Sequence, residues 1–246
     1  MFYEICCVSF LFISYSFIGW ILECICCTIE WRKFVCDRGF LIGPYCPIYG
    51  FGGVAVYLIL SRYYYDPFTL FILAAVGASV LEYVTSYLME ILFKARWWDY
   101  SHRRWNLEGR VCLGNSLLFG LLGLAFVYLI NPFFLSLIKK LPMHVLMIIS
   151  CVLITVFLVD LILSCVVMTK LKLRVETIQK DSTSEIDKQV REFLASYRFF
   201  VRRIFRAFPK IHISIPSGEN IQKVIQDILN SVDKVNPKSK RKGKRK

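Results

Sequence analysis

The sequence predicts an all-α, polytopic membrane protein with about five transmembrane helices and a basic helical tail in the cytosol. Of its 246 residues, 56% are hydrophobic and the mean hydropathy is +0.52, far more apolar than a soluble domain of this length. Several runs exceed the roughly 18 apolar residues that mark a membrane-spanning helix, and none alternates as a β-barrel strand would. Charge is also segregated. Met1 to Thr169 carries 11 Lys and Arg against 10 Asp and Glu, whereas Lys170 to Lys246 carries 20 against 8. Three regions follow: a five-helix transmembrane domain over 1–169, a basic amphipathic tail over 170–235, and a disordered polybasic terminus over 236–246.

The first span covers about Ile5 to Ile29. Its start lacks the basic leader and small-residue cleavage site of a signal peptide, so it reads as a retained helix. Ser9, Ser16, Glu23 and Glu30 recur every seven residues and mark a narrow polar stripe. Glu23 either snorkels to an interface or takes part in a polar interior.

A loop with Arg32, Lys33 and Arg38 leads into GFLIGPYCPIYGFG, residues 39–52. Pro44 and Pro47 cannot sit in a regular helix interior. Gly43, Pro44, Tyr45, Pro47 and Tyr49 therefore form either a tight helix entrance with Pro in its first turn or a binding loop. The second span follows, roughly Ile48 to Tyr64.

After a turn from Arg62 to Pro67, the third span runs from Phe68 to about Phe93. Glu82, Ser86 and Glu90 lie four residues apart and so share one helix face. A charge near the bilayer centre costs about 2.5–3.5 kcal/mol on the insertion scale, so this face should meet protein or water rather than lipid.

The loop from Lys94 to Arg110 holds Arg96, Arg103, Arg104, Trp97, Trp98 and Trp105, a composition suited to the headgroup layer. Its arginines could pair with lipid phosphates. Asp99 and His102, three apart, could form an acid/base pair, though one such pair on an interfacial loop is a weak signal.

The fourth span is expected from about Val111 to Ile130, with Asn115 near its start and Asn131-Pro132 ending it. The fifth runs from about Met143 to Thr169 and carries Asp160, an acid deep in an apolar helix.

Basic residues in the short loops set the orientation. Arg62, Lys139 and Lys140 fall on one side, and the remaining loop arginines and lysines fall on the other with the tail. The expected arrangement in the plasma membrane is an outside N-terminus and a cytosolic C-terminus. Glu23, Glu82, Glu90 and Asp160 then lie at or below the midplane, and Arg96, Arg110, Asn115 and the 43–49 loop approach from the cytosolic side. Four unpaired acids would cost roughly 10 kcal/mol. Arginine pairing, protonation or a wet vestibule must relieve that cost, and the vestibule is the favoured expectation. Structural hydrogen bonds between helices are the alternative.

Most of the ten cysteines lie in apolar runs, and no CxxC pair has matching His spacing, so neither a metal site nor a disulfide framework nor any cofactor is expected. In the tail, YRFFVRRIFRAFPK suits a helix on an anionic membrane. Pro209 and Pro216 bracket an extended linker. A second helix from Ser217 carries one apolar stripe, fit to dock on the protein, on a partner or on a second copy. The PKSKRKGKRK end reads as an anchor for anionic headgroups; nucleic acid is a less fitting partner beside a membrane.

Three motifs, GFLIGPYCPIYGFG, EYVTSYLMEILFKARWWDYS and NLEGRVCLGNSLLFGLLGL, together resemble the bacterial ABC-transporter permease, type IV (CmpB-like) family over about Phe10 to Ile130. The resemblance implies a membrane subunit working with a separate cytosolic ATPase. The chain has no GxxxxGK[ST] P-loop with which to bind ATP itself. The functional expectation is a permease-like protein with a cytosol-facing polar site for a small solute or ion. Its alternatives are a scaffold recruiting partners through the tail and a membrane enzyme acting on lipid headgroups.

Overall fold

The computed structural model describes residues 2–180 together with 203, 204, 207, 208, 212 and 213. The amphipathic helix expected from Ser217 and the polybasic terminus lie outside the described residues, as does most of the 181–211 stretch. The described chain is helical: α1 (Phe2–Trp31), α2 (Pro47–Ala55), α3 (Pro67–Phe93), α4 (Leu113–Ala125), α5 (Asn131–Lys140) and α6 (Met143–Lys180). Four two-residue strands, β1 (Ala95–Arg96), β2 (Asn106–Leu107), β3 (Val111–Cys112) and β4 (His212–Ile213), sit between and after the helices.

Among the described residues, four helical stretches are long and apolar enough to cross a membrane: Phe2–Trp31, Pro67–Phe93, Leu113–Lys140 and Met143–Lys170. The second span is shorter. It begins with Pro47 in its first turn, runs through α2, and finishes in a π-turn (Val56–Leu60) and a 3-10 turn (Ser61–Tyr63). The protein is thus a multi-pass helical membrane protein. α6 exposes Leu158, Val159, Ile162, Leu163 and Val166, a set that lies along one face of the helix and belongs against lipid.

One boundary differs from the sequence expectation. The fourth span does not end at Asn131-Pro132. A π-turn over Phe126–Ile130 hands the chain on to α5, so the helix continues to Lys140. Pro132 sits in the first turn of α5, directly after the π-turn, where the regular helical bond pattern that its ring would break is already interrupted.

Small residues let the helices approach. A Cβ on Gly50 would fall 2.2 Å from Ser16 Oγ, and one on Gly19 would fall 2.2 Å from the Tyr49 ring, so α1 and α2 cross in close backbone contact. The core beneath the crossing is apolar: Leu11, Tyr15, Phe126 and Leu146 are buried, with Tyr15 edge-on to Phe126 at 5.1 Å. α3 starts at an Asp66 cap whose carboxylate accepts from Thr69 N at 3.0 Å, and it stops at Lys94 in a left-handed conformation.

Candidate functional site

The polar residues gather at one end of the bundle, where α1 and α3 finish and α4 begins. The connection from α3 to α4 is built rather than loose. β2 and β3 form an antiparallel hairpin, with Leu107 opposite Val111 and Asn106 opposite Cys112. Three residues, Glu108, Gly109 and Arg110, join the strands; the first two have positive φ (52° and 67°), and Arg110 N donates to Leu107 O at 3.0 Å across them. That is the mirror-type turn that matches strand twist. Glu-Gly between Leu107 and Arg110-Val111 was a readable turn signal, and sequence reasoning passed it over as loop.

The hairpin delivers Arg110 onto α3. Tyr83, Ser86, Tyr87 and Glu90 occupy one face of that helix, and the buried guanidinium lies among all four. It stands 2.8 Å from Glu90 and 3.3 Å from Ser86 Oγ, with the Tyr83 and Tyr87 rings at 5.6 and 5.4 Å. The contact with Glu90 is an ion pair without the alignment of a hydrogen bond. Arg96, on β1, reaches the same Glu90 oxygen at 3.5 Å and Asp99 at 3.8 Å. Asp99 also accepts from Ser101 N and Oγ at 2.9 and 2.6 Å, which sets it in a local turn. Glu108 accepts from Tyr83 at 2.7 Å, and that bond, with Arg110 alongside, holds its carboxyl below the usual range.

Glu82 is different. It is buried, 6% exposed, and its hydrogen-bond donor is the neutral Tyr100 phenol at 3.3 Å, with Asn115 of α4 beside it. Its Oε2 is buried without a hydrogen-bond partner. Burial, then the proximity of Glu82 and Glu23, pushes the Tyr100 phenol well above its ordinary value, so it stays a donor.

Glu23 forms a second group. Arg38 pairs with it at 3.3 Å and Tyr49 OH donates to it at 2.9 Å. Asp160 forms a third, and its partners are backbone amides: Ile42 N at 2.9 Å and Gly43 N at 2.6 Å, with Ser164 Oγ at 3.1 Å. It pins the 39–46 loop to α6. Tyr45 packs edge-on against Phe157 in the same place, while Pro44 and Pro47 shape the turn into α2. The structure therefore brings Glu90, Arg96, Asp99 and Arg110 together, places Glu82 with Asn115, and distributes Glu23 with Tyr49 and Asp160 with Gly43 into neighbouring groups. Sequence reasoning missed Arg38, Tyr100, Tyr83 and Tyr87 as partners.

The tail returns to this end. Arg203, buried, donates to the carbonyls of Arg38 at 3.2 Å and Gly39 at 3.5 Å. The Arg38 guanidinium donates to Ala207 O and lies over the Phe208 ring, and Phe208 meets Trp97 edge-on at 4.8 Å. β4 pairs antiparallel with β1, Ala95 opposite Ile213 and Arg96 opposite His212. Among the described residues no three His, Cys, Asp or Glu side chains are arranged to hold a metal ion.

Comparison with known proteins places this architecture. The model of the family described as "Putative ABC-transporter type IV" matches residues 10–165. The chain belongs to that family. The match runs from α1 into α6 and so includes Glu23, the 39–52 loop, Glu82, Glu90, the hairpin and Asp160. It extends beyond the Phe10 to Ile130 stretch on which the sequence resemblance rests. No curated protein and no solved structure matches the chain.

Proposed function

We propose that this protein is the membrane subunit of a transporter, with a polar site between α3, α4 and the 94–112 connection that takes a small solute or ion from the cytosolic side. The observation that carries this reading is the contrast between Glu82 and Glu90. Glu90 is neutralised by two arginines, whereas Glu82, about two turns earlier on the same helix and more deeply buried, has only neutral donors and an unsatisfied oxygen. A buried carboxylate left without a cation in an apolar span is costly unless it exchanges a proton or a ligand.

Membership of the family supports the companion proposal of a separate ATPase subunit, since the chain has no P-loop of its own. In this reading the acidic end, with the basic tail, faces the cytosol of a plasma-membrane protein, and the tail's basic residues meet anionic headgroups.

A second reading is favoured by the contacts that Arg203, Ala207, Phe208, His212 and Ile213 make with the bundle: a scaffold that presents its tail to a partner. One experiment separates them. The tagged protein is purified from native membranes in mild detergent, as full chain, as Glu82→Gln and as a chain lacking 217–246. A stoichiometric ABC-type ATPase retained by all three supports the transporter. A partner lost with 217–246, and no ATPase, establishes the scaffold and sinks the transport reading.

A further inference from the structure

The opposite end of the bundle holds a cavity of about 560 Å³ between the second span and the long helix Leu113–Lys140. That volume is in the range of small-ligand sites. Its polar lining includes Asn131, Ser61, Ser136, Lys139 and Lys140, and no carboxylate lines it. With Tyr64, the lining therefore offers two ammoniums and three hydroxyls around one amide, a set rich in donors and positive charge.

Asn131 is the decisive residue. It is 3% exposed, and its Oδ1 is held by Tyr15 OH at 2.6 Å, while its Nδ2 has no hydrogen-bond partner. A buried amide with unmade donors is costly, and its place in the lining of a donor-rich cavity points to an acceptor that completes it. Asn131 directly follows the π-turn Phe126–Ile130, and Ser61 on the facing side directly follows the π-turn Val56–Leu60. π-turns recur at functional sites because they displace side chains from the regular helical positions. Lys139 and Lys140 also complement the C-terminal dipole of α5, but that role leaves the Asn131 amide unexplained.

We propose that this cavity binds a phosphate group, with the Asn131 amide and a serine hydroxyl donating to its oxygens and Lys139 and Lys140 balancing its charge. A tetrahedral anion with several oxygens fits a convergent set of donors better than a single-point acceptor does. The phosphate is either that of a lipid headgroup, which the cavity's place at the end of the spans would allow, or that of a soluble ester. The proposal is independent of the polar site at the acidic end.

The test uses the full chain in a phosphate-free sugar detergent, titrated calorimetrically with inorganic phosphate, glycerol phosphate and short-chain phosphatidic acid. Saturable binding is expected for at least one. Binding of the soluble compounds identifies a free-phosphate site, and binding of the lipid alone identifies a headgroup site. Asn131→Asp keeps the acceptor for Tyr15 but replaces the donor, and it should weaken binding at least tenfold, as should Lys139→Gln with Lys140→Gln. Should Asn131→Asp fail to fold, Ser136→Trp fills the cavity from an exposed position without altering charge and should abolish binding. Absence of saturable binding overturns the proposal. So does wild-type affinity in Asn131→Asp or Ser136→Trp, because the lysines alone would then account for any attraction.

Discussion

Arg110 shows why an arginine, and not a lysine, closes the acidic end. Its flat guanidinium meets a carboxylate on one edge and tyrosine rings on its faces, contacts a point-like ammonium cannot reproduce together. Removing one partner of a buried pair costs about 3–5 kcal/mol. The Glu90 side chain is 27% exposed, so Arg110→Ala should fall at the lower end, about 3 kcal/mol. Thermal unfolding in detergent would measure it, and adding Glu90→Gln should restore part of the loss; no recovery would mean that packing on Tyr83 and Tyr87 dominates. Tyr100 supplies a pH signature. Its folded value is raised by burial and by Glu82, so its contribution is complete below the unfolded value of about 10 and is lost as pH rises through the higher folded value. Phenolate absorbance in the native protein should therefore lack a component that appears on unfolding, and Tyr100→Phe should reduce that difference by one tyrosine's share.

Among the elements, the β2–β3 hairpin and the docked tail stretch both act by placing other groups. Gly109 has φ +67°, and a Cβ there would meet Asp99 Oδ1 and Ser101 Oγ at 2.4 Å each. Gly109→Ala should cost at least the roughly 1–2 kcal/mol of a left-handed L-residue and displace Arg110 with the turn. A variant as stable as the wild type would show that the turn does not hold the arginine. For the tail, Arg203→Ala removes two bonds to the Arg38 and Gly39 carbonyls and should speed tryptic cleavage near residue 210, while sparing the bundle. Unchanged cleavage would show that β4 pairing alone holds the stretch. These elements also mark where the sequence could and could not be read. Uninterrupted apolar runs made the spans plain. Asn131-Pro132 looked like a helix stop because proline forbids an interior position only when the helix is regular, and the π-turn before it is visible in no local pattern. The acids were conspicuous as charges in apolar runs, but their partners were not. Arg38 lies 15 residues from Glu23 and Arg110 lies 24 from Ser86, so only the fold-back of the loop and hairpin onto the helices that precede them brings them together.

At the scale of the whole molecule, orientation rests on where positive charge remains after folding. Arg38, Arg96 and Arg110 are drawn into ion pairs with Glu23 and Glu90, so they contribute less to holding their end on the cytosolic side than a simple count suggests. Arg32, Lys33, Lys94, Arg103, Arg104 and the tail still outnumber Arg62, Lys139 and Lys140 at the far end. The acidic end should thus face the cytosol despite the internal pairing. Two positions read this out. Cys36 is exposed in the loop after α1, and Tyr65, 95% exposed, lies in the turn before α3 at the other end. In intact cells a membrane-impermeant maleimide should label Tyr65→Cys, carried in a Cys36→Ser background, and should leave Cys36 of the wild type unlabelled until the cells are opened. The reverse pattern would invert the protein. It would turn the Glu82 and Glu90 groups outward, place the Asn131 cavity on the cytosolic side, and require any ATPase to dock on the short far-end turns, which carry little of the built polar structure.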